Sequence, residues 1–223
     1  MFENGYKYSI YPLNLIIMEP FQNFESKATP FPYVNVDTDQ IIPKQFLKLT
    51  QKIGFGKYLF YDWRYNKNGE PKKDFVLNNP RYSEYPILLT LDNFGSGSSR
   101  EHAVWAIMDY GFRVIISPSF ADIFYSNCIK NGILPIILSK NEIEYLFDNP
   151  NYIIKVDLNK QQIELKPNSK QLKFQIDESK KKMLLEGLDE IGMTLQLEDD
   201  ITDYENKSEF NMRILNTVKK LLI

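Results

Sequence analysis

The sequence predicts an α/β fold with an antiparallel β-sheet joined to it. From residue 86 to residue 148, short apolar runs alternate with segments that carry helix signals, a rhythm typical of a parallel sheet covered by helices. From residue 152 to residue 176, three segments alternate apolar and polar residues and are separated by turn sequences, as in antiparallel strands. With 223 residues, the chain is long enough to bury a substantial core.

The predicted domain lies between two ends of different character. Residues 1–17 are rich in Tyr, Ile and Asn without clear periodicity, and we expect them to be an N-terminal extension before a natural start at Met18. The domain itself is expected to span residues 18–206. Residues 207–223 predict a C-terminal amphipathic helix whose apolar side chains form one stripe and pack on the domain.

The first helix signal falls in residues 35–47. Asp39 is a good helix cap, and Pro43 is tolerable in a first helical turn, where backbone N–H groups lack partners anyway. Lys44 and Lys48 would share a face of this helix and could meet an anion. Caps and solvated surface charges are the more common roles of such residues.

An aromatic segment follows at residues 54–65 and contains two glycines. The default interpretation of such a cluster is core or subunit interface. A mobile flap over a site is the sharper alternative. Residues 75–77 are expected to form a short strand or a buried segment.

The α/β part contains alternating strands and helices. The strands are predicted at residues 86–91, 112–116 and 133–138. The helices are predicted at residues 103–110, 118–130 and 139–148. Gly111 closes the first helix, Pro135 places the third strand at an edge or a bulge, and Ser139 with Glu142 forms a capping box.

The remaining elements belong to the antiparallel layer and the end of the domain. The strands are predicted at residues 152–158, 161–165 and 172–176. A helix is predicted at residues 179–186 and stops at Gly187. The acidic residues 198–203 are expected to be a solvated connection.

The loop at residues 92–102 connects the first predicted strand of the α/β part to its first helix. Ligands of α/β proteins bind at such strand-to-helix loops, where backbone N–H groups and the helix dipole favour an anion. Arg100 adds a bidentate donor suited to a carboxylate or a phosphate. On spacing alone, however, Ser98 and Glu101 are better explained as a capping box, in which Ser98 does no chemistry.

Composition excludes several classes of function. A net charge of −2 gives no reason to expect a nucleic-acid or membrane partner, and no apolar run approaches the length of a membrane span. The single cysteine, Cys128, cannot form an internal disulfide and suits a reducing compartment, so we expect a cytoplasmic protein. One cysteine and one histidine cannot build a zinc site or hold an iron–sulfur cluster. Any metal chemistry would need ligands from another chain.

Residues 94–102 read F-G-S-G-S-S-R-E-H and resemble the active-site loop of the aconitase swivelling domain. Other segments are similar to those of the 3-isopropylmalate dehydratase small subunits: residues 35–47, 54–57, 62–65, 109–114, 117–124 and 187–192. The resemblance extends from about residue 34 to residue 204. It implies a three-layer swivelling β/β/α domain of the aconitase type.

The resemblance also implies the small subunit of a heteromeric hydro-lyase. The enzyme would interconvert 2-isopropylmalate and 3-isopropylmalate in leucine biosynthesis by removing and re-adding water. The partner large subunit would carry a [4Fe–4S] cluster, and this chain would bind neither a cofactor nor a metal. Activity would require both subunits.

Five residues receive roles from the same resemblance. Ser98 would be the catalytic base. Ser99 and Arg100 would bind a substrate carboxylate. Asp39 would be an active-site carboxylate that orients basic groups, and Lys44 would be a weaker candidate for carboxylate contact.

Three alternatives remain open. A related hydro-lyase, such as homoaconitase or 2-methylmalate dehydratase, would use a similar small subunit. Leu59 and Phe60 are compatible with the apolar pocket that an isopropyl group would require. A serine hydrolase would pair Ser98 with His102, but the motif lacks a Gly-x-Ser-x-Gly elbow, and we expect His102 to support the loop. A non-catalytic subunit would use the loop only to bind an anion.

Overall fold

The computed structural model describes residues 18–48 and 53–207, so the expected extension at residues 1–17 and the helix expected beyond residue 207 lie outside the described residues. The strands are β1 (Phe24–Ser26), β2 (Ala28–Phe31), β3 (Ile87–Thr90), β4 (Val114–Ser117), β5 (Leu134–Ile137), β6 (Ile153–Asp157), β7 (Gln162–Lys166) and β8 (Lys170–Lys173). The helices are α1 (Thr38–Ile41), α2 (Tyr61–Arg64), α3 (Glu101–Tyr110), α4 (Asp122–Lys130), α5 (Lys140–Asp148), α6 (Glu178–Glu186), α7 (Glu190–Leu195) and α8 (Glu198–Lys207). Short 3₁₀ turns lie at Lys44–Phe46, Gly56–Tyr58, Val76–Asn78 and Pro80–Tyr82.

The strands form two four-stranded sheets. One sheet has the order β2-β3-β4-β5, and all its neighbouring strands are parallel. The other has the order β1-β6-β7-β8 and is antiparallel throughout. Pro135 lies in β5, an edge strand of the parallel sheet, as predicted from its missing N–H.

Each face of the parallel sheet is buried against a different core. In β3, Ile87 and Leu89 belong to the core shared with the antiparallel sheet, which includes Ile154 and Val156. Leu88, between them, belongs to the core beneath α1, α3 and α4. Because all four residues of β3 are buried, the strand must be covered on both faces. This arrangement of helices, parallel sheet and antiparallel sheet confirms the predicted three-layer β/β/α fold.

The first helix begins earlier than predicted. Asp37, not Asp39, is its N-cap: the Asp37 carboxylate accepts from the N–H of Gln40 at 2.8 Å, and the Gln40 side chain accepts from the N–H of Asp37 at 2.9 Å. This reciprocal pair is a capping box. Asp39 therefore lies inside the helix, where its carboxylate is available for another partner.

The same helix ends before Pro43. Ile42, the residue before the proline, is extended with φ −139° and ψ 110°, because the proline ring excludes the helical conformation there. Lys44 begins a separate 3₁₀ turn, and Lys48 lies beyond that turn. The prediction that these two lysines share one helix face was wrong.

Other boundaries also differ from the predictions. The helix predicted from residue 118 begins at Asp122, because Ser119 and Ala121 exchange backbone hydrogen bonds with Phe94 and so remain extended. Residues 198–203 are helical and exposed, within α8, rather than a connection. Residues 75–77 are a buried segment whose last part is a 3₁₀ turn, not a strand.

The aromatic segment at residues 54–65 is core. Phe55, Leu59 and Phe60 are completely buried, which confirms the default interpretation. The segment is attached to the end of α3, where the carboxylate of Asp109 accepts from the N–H of Gly56 at 2.7 Å. Leu59 and Phe60, which the sequence left compatible with an apolar substrate pocket, are both completely buried and so do not line an open pocket in this structure.

Candidate active site

Three loops meet at the carboxyl edge of the parallel sheet, where the chain leaves β2, β3 and β4. The central loop after β3 is bonded to its neighbours on both sides through the backbone. The N–H groups of Gly95 and Ser96 donate to the carbonyl of Val36 at 2.8 and 3.1 Å. On the opposite side, Phe94 donates to the carbonyl of Ser119 at 3.1 Å and accepts from Ala121 at 3.1 Å. The edge is the position at which open α/β sheets bind ligands.

The serine-containing part of the central loop is fixed by a buried threonine and two glycines. The hydroxyl of Thr38 donates to the carbonyl of Ser98 at 2.8 Å. Gly95 and Gly97 have φ values of +78° and +89°, in the left-handed region that favours glycine. A side chain at Gly95 would also collide with the ring of Phe124, since an added Cβ would lie 2.0 Å from Cγ.

Ser98 does not cap the helix that follows it. The N-cap of α3 is Arg100, which makes no side-chain capping bond. The Glu101 carboxylate instead accepts from the side-chain amide of Asn131 at 3.0 Å and from the indole N–H of Trp105 at 3.3 Å. The predicted capping box of Ser98 and Glu101 was therefore wrong, because tertiary partners bind the glutamate. Ser98 is exposed at the surface of a cavity.

This cavity has a volume of about 230 Å³ and lies between the central loop and the start of α4. Its lining residues are Thr38, Gly95, Gly97, Ser98, Ser99, Arg100, Ala121, Asp122, Ile123, Phe124 and Asn127. Ser98, Ser99 and Arg100 thus share one cavity. Its lining combines hydroxyl, guanidinium and amide groups and the carboxylate of Asp122 with apolar side chains. The guanidinium suits an anionic group of a small ligand, and the apolar side chains suit a hydrocarbon part.

The Arg100 side chain is held by Asp39 from α1. Its guanidinium donates a charge-assisted hydrogen bond to the Asp39 carboxylate. The Arg100 side chain is only 11% exposed, whereas that of Asp39 is 44% exposed. The hydrogen bond from Arg100 holds the pKa of the Asp39 carboxyl below its ordinary value, although partial burial opposes it.

Lys44 lies on the outer side of this pair. Its Nζ is 3.8 Å from the Asp39 carboxylate, and its side chain is exposed. The structure therefore brings Asp39, Lys44 and Arg100 together. Of the three, only Arg100 lines the cavity. Asp39 contacts Arg100, and Lys44 contacts Asp39.

His102 points into an aromatic group instead of toward Ser98. Its ring centroid lies 4.5 Å from that of Trp105 and 5.4 Å from that of Phe55, and the residue does not line the cavity. A serine–histidine pair of the hydrolase type requires a hydrogen bond between the two side chains. The arrangement gives no support to a serine hydrolase.

Sequence reasoning assigned no site role to several residues of the cavity, among them Thr38, Asp122, Ile123 and Asn127. Thr38 follows the capping residue of α1, and Ile123 and Asn127 lie one turn apart on α4. Their side chains carry no motif that indicates binding by itself. The available signal was positional, since residues after neighbouring parallel strands converge at one edge of the sheet.

Within residues 18–48 and 53–207, no group of three or more His, Cys, Asp or Glu side chains could hold a metal ion. None of the helices in these ranges is long and apolar enough to cross a membrane.

Most of the chain is similar to proteins of one family. A model of the aconitase C-terminal domain matches residues 18–141, over half of the chain. The 3-isopropylmalate dehydratase small subunit of Brevibacillus brevis is 51% identical over 192 residues, covering 84% of this chain and 98% of that protein. The Bacillus subtilis small subunit is 49% identical and covers 85% of this chain and 96% of that protein. The crystal structure of a 3-isopropylmalate dehydratase from Methanocaldococcus jannaschii matches with a TM-score of 0.60 and 27% identity, covering 82% of this chain and 99% of that one.

Proposed function

We propose residue roles for this chain from one premise: it belongs to the aconitase C-terminal domain family and, within it, to the 3-isopropylmalate dehydratase small subunits. It is thus the small subunit of a hydro-lyase of leucine biosynthesis. In our proposal, Ser98 is the base of the reaction, and Ser99 and Arg100 bind the substrate's carboxylates. The observation that carries this proposal is that Ser98 makes no helix cap and shares a cavity with Arg100.

The chemistry demands a base beside an anion-binding group. Interconversion of 2-isopropylmalate and 3-isopropylmalate by loss and return of water removes a proton from a carbon next to a carboxylate. A serine hydroxyl is too weakly acidic to serve as a base unless its anion is stabilised. Arg100 lines the same cavity as Ser98, and α3 begins three residues after Ser98, at Glu101. In our proposal the guanidinium and the positive end of α3 supply that stabilisation.

Asp39 prepares Arg100 for this task. A guanidinium has five N–H donors in a fixed plane, and Asp39 accepts from one of its terminal nitrogens. The pair fixes the orientation of the Arg100 side chain while other donors remain directed to a substrate carboxylate. Lys44 contributes positive charge at the outer edge of the pair. In this role Asp39 and Lys44 act through Arg100.

The chain's own residues do not fit an iron–sulfur cluster. Such clusters are held by several cysteine thiolates, whereas Cys128 is the chain's one cysteine and is completely buried in the core. Burial also raises the pKa of its thiol well above the ordinary value, which opposes the thiolate form. We therefore place the [4Fe–4S] cluster on the large subunit that the relatives' name implies, and we assign to this chain only proton transfer and substrate binding.

Reconstitution tests the proposal. The chain is mixed with its large subunit, iron and sulfide are added without oxygen, and the unsaturated intermediate formed from 3-isopropylmalate is followed by ultraviolet absorbance. We expect activity only with both subunits. Ser98→Ala should lower kcat by about 10²–10⁴, the usual contribution of a positioned proton-transfer group.

Ser96→Ala is the matched control, because Ser96 lies on the same loop but does not line the cavity. It should retain near-normal activity, and both variants should bind the large subunit normally. An active Ser98→Ala complex would reduce the loop to an anion-binding role. Turnover of other hydroxy acids in place of 3-isopropylmalate would leave the assignment of Ser98 as the base intact and would contradict the assignment of the substrate.

A further inference from the structure

A large apolar side chain is exposed in the cavity that contains Ser98. Ile123, in the first turn of α4, is 54% exposed and lines this cavity together with Ser98 and Arg100. A singly exposed isoleucine on an ordinary surface needs no explanation. The position of Ile123 in one cavity with a serine and an arginine needs an explanation, because a ligand that binds these polar groups would also lie close to the isoleucine.

The backbone around Ile123 is fixed relative to the serine loop. Phe124, the next residue, packs its ring against Gly95, where a side chain would leave no room for that ring. Ala121, two residues before Ile123, donates its N–H to the carbonyl of Phe94 at 3.1 Å. These contacts lie on either side of Ile123 and hold the start of α4 against the loop.

The two kinds of lining residue have different chemistry. Polar or charged contacts come from Thr38, Ser98, Ser99, Arg100, Asp122 and Asn127, whereas the apolar side chains of the described residues in the lining are Ala121, Ile123 and Phe124. Ala121 is small and Phe124 is only 2% exposed. Ile123 therefore supplies most of the apolar surface that a ligand can reach.

The substrate, like the cavity, has a polar part and an apolar part. Isopropylmalate carries carboxylates and a hydroxyl on its malate backbone and a branched hydrocarbon group at one carbon. The aromatic segment at residues 54–65 does not offer a complementary surface through Leu59 and Phe60, which are completely buried. We infer that Ile123 is a specificity-determining residue that contacts the isopropyl group while Arg100 and the serines bind the polar part. This inference rests on the proposed function.

The test compares two substrates in the reconstituted holoenzyme. The kcat/KM values for 3-isopropylmalate and for 3-methylmalate, which has a shorter branch, are measured for the wild type and for Ile123→Ala. We expect Ile123→Ala to lower kcat/KM for 3-isopropylmalate by about 10–100-fold and that for 3-methylmalate by less than about threefold. Ile123→Leu, which restores the apolar volume, should recover most of the preference.

Ile191→Ala is the matched control, because Ile191 is 55% exposed but lies on α7 and does not line the cavity. It should leave the preference unchanged. If Ile123 instead contacts the large subunit, Ile123→Ala will weaken subunit association and reduce turnover of both substrates equally, which overturns the inference. An unchanged preference at normal turnover overturns the inference alone, whereas a wild-type complex that turns over neither substrate overturns the proposed function as well.

Discussion

Replacing Gly95 with alanine should destabilise the protein by about 2–5 kcal/mol. Two costs contribute to this figure. Gly95 has φ +78°, and an L-residue in the left-handed region loses about 1–2 kcal/mol. The new methyl group would also lie 2.0 Å from Cγ of Phe124, and overpacking of a tight contact typically costs about 1–3 kcal/mol.

Gly69→Ala separates the two costs. Gly69 has nearly the same φ, +80°, but an added Cβ there would meet no atom within 4 Å. The control variant should therefore lose only the conformational cost of about 1–2 kcal/mol. The difference between the two variants isolates the contact between the loop and α4.

Urea unfolding of the two variants and the wild type measures this difference. We expect Gly95→Ala to be less stable than Gly69→Ala by about 1–3 kcal/mol, equivalent to a melting temperature lower by about 2–12 °C. Equal destabilisation of the two variants would refute the reasoning, since it would mean that the Phe124 ring moves aside without cost. In that case Ile123 would also lose one of the contacts that fix its position.

Two further predictions concern ionisable groups. The hydrogen bond from Arg100 lowers the pKa of Asp39, so the pair stabilises the fold above the carboxyl's unfolded pKa, and this contribution is lost as pH falls through the lowered folded pKa. The stability difference between wild type and Asp39→Asn should be below about 1 kcal/mol at neutral pH, because Asp39 is half-exposed, and should shrink in acid; an increase would contradict the assignment. Burial raises the pKa of Cys128, so a thiol reagent should label the chain in urea but not when folded, and rapid labelling of the folded chain would show an exposed thiol.

Local signals predicted much of the fold correctly. The capping box of Ser139 and Glu142 forms as predicted. Both of its hydrogen bonds join residues three apart at the surface, so local spacing was enough to predict it. Gly111 ends α3 in the left-handed conformation for the same local reason. Pro135 indicated an edge strand because a missing N–H has the same consequence in any sheet.

One failure arose where a distant residue competes for the same group. Ser98 and Glu101 have the spacing of a capping box, but the Glu101 carboxylate accepts from Asn131, thirty residues later in the chain, and from Trp105, one turn along α3. Sequence spacing cannot reveal this competition. The cap of α1 was misplaced by two residues for a different reason: Asp37 and Gln40 have the local spacing of a capping box, and that spacing was overlooked.

The serine loop was easier to identify from the sequence than the other residues that line the cavity. The motif at residues 94–102 identified the serine loop through its resemblance to a family, and the three groups Ser98, Ser99 and Arg100 do share one cavity. Hydrophobicity alone, however, does not separate a residue of the core from one that lines a pocket. Leu59 is completely buried and Ile123 is largely exposed, although both are aliphatic residues near a recognisable motif.

The way in which the three edge loops are joined has a consequence for how such a site diverges. The loops are joined by main-chain hydrogen bonds, from Gly95 to Val36 and from Ala121 to Phe94. Main-chain hydrogen bonds do not depend on which side chains the loops present to the cavity. The scaffold therefore tolerates exchange at rim positions such as Ile123, whereas Gly95 is constrained by its conformation. If Ile123 selects the substrate, as we infer, point substitutions at this rim would change the substrate while these main-chain hydrogen bonds persist.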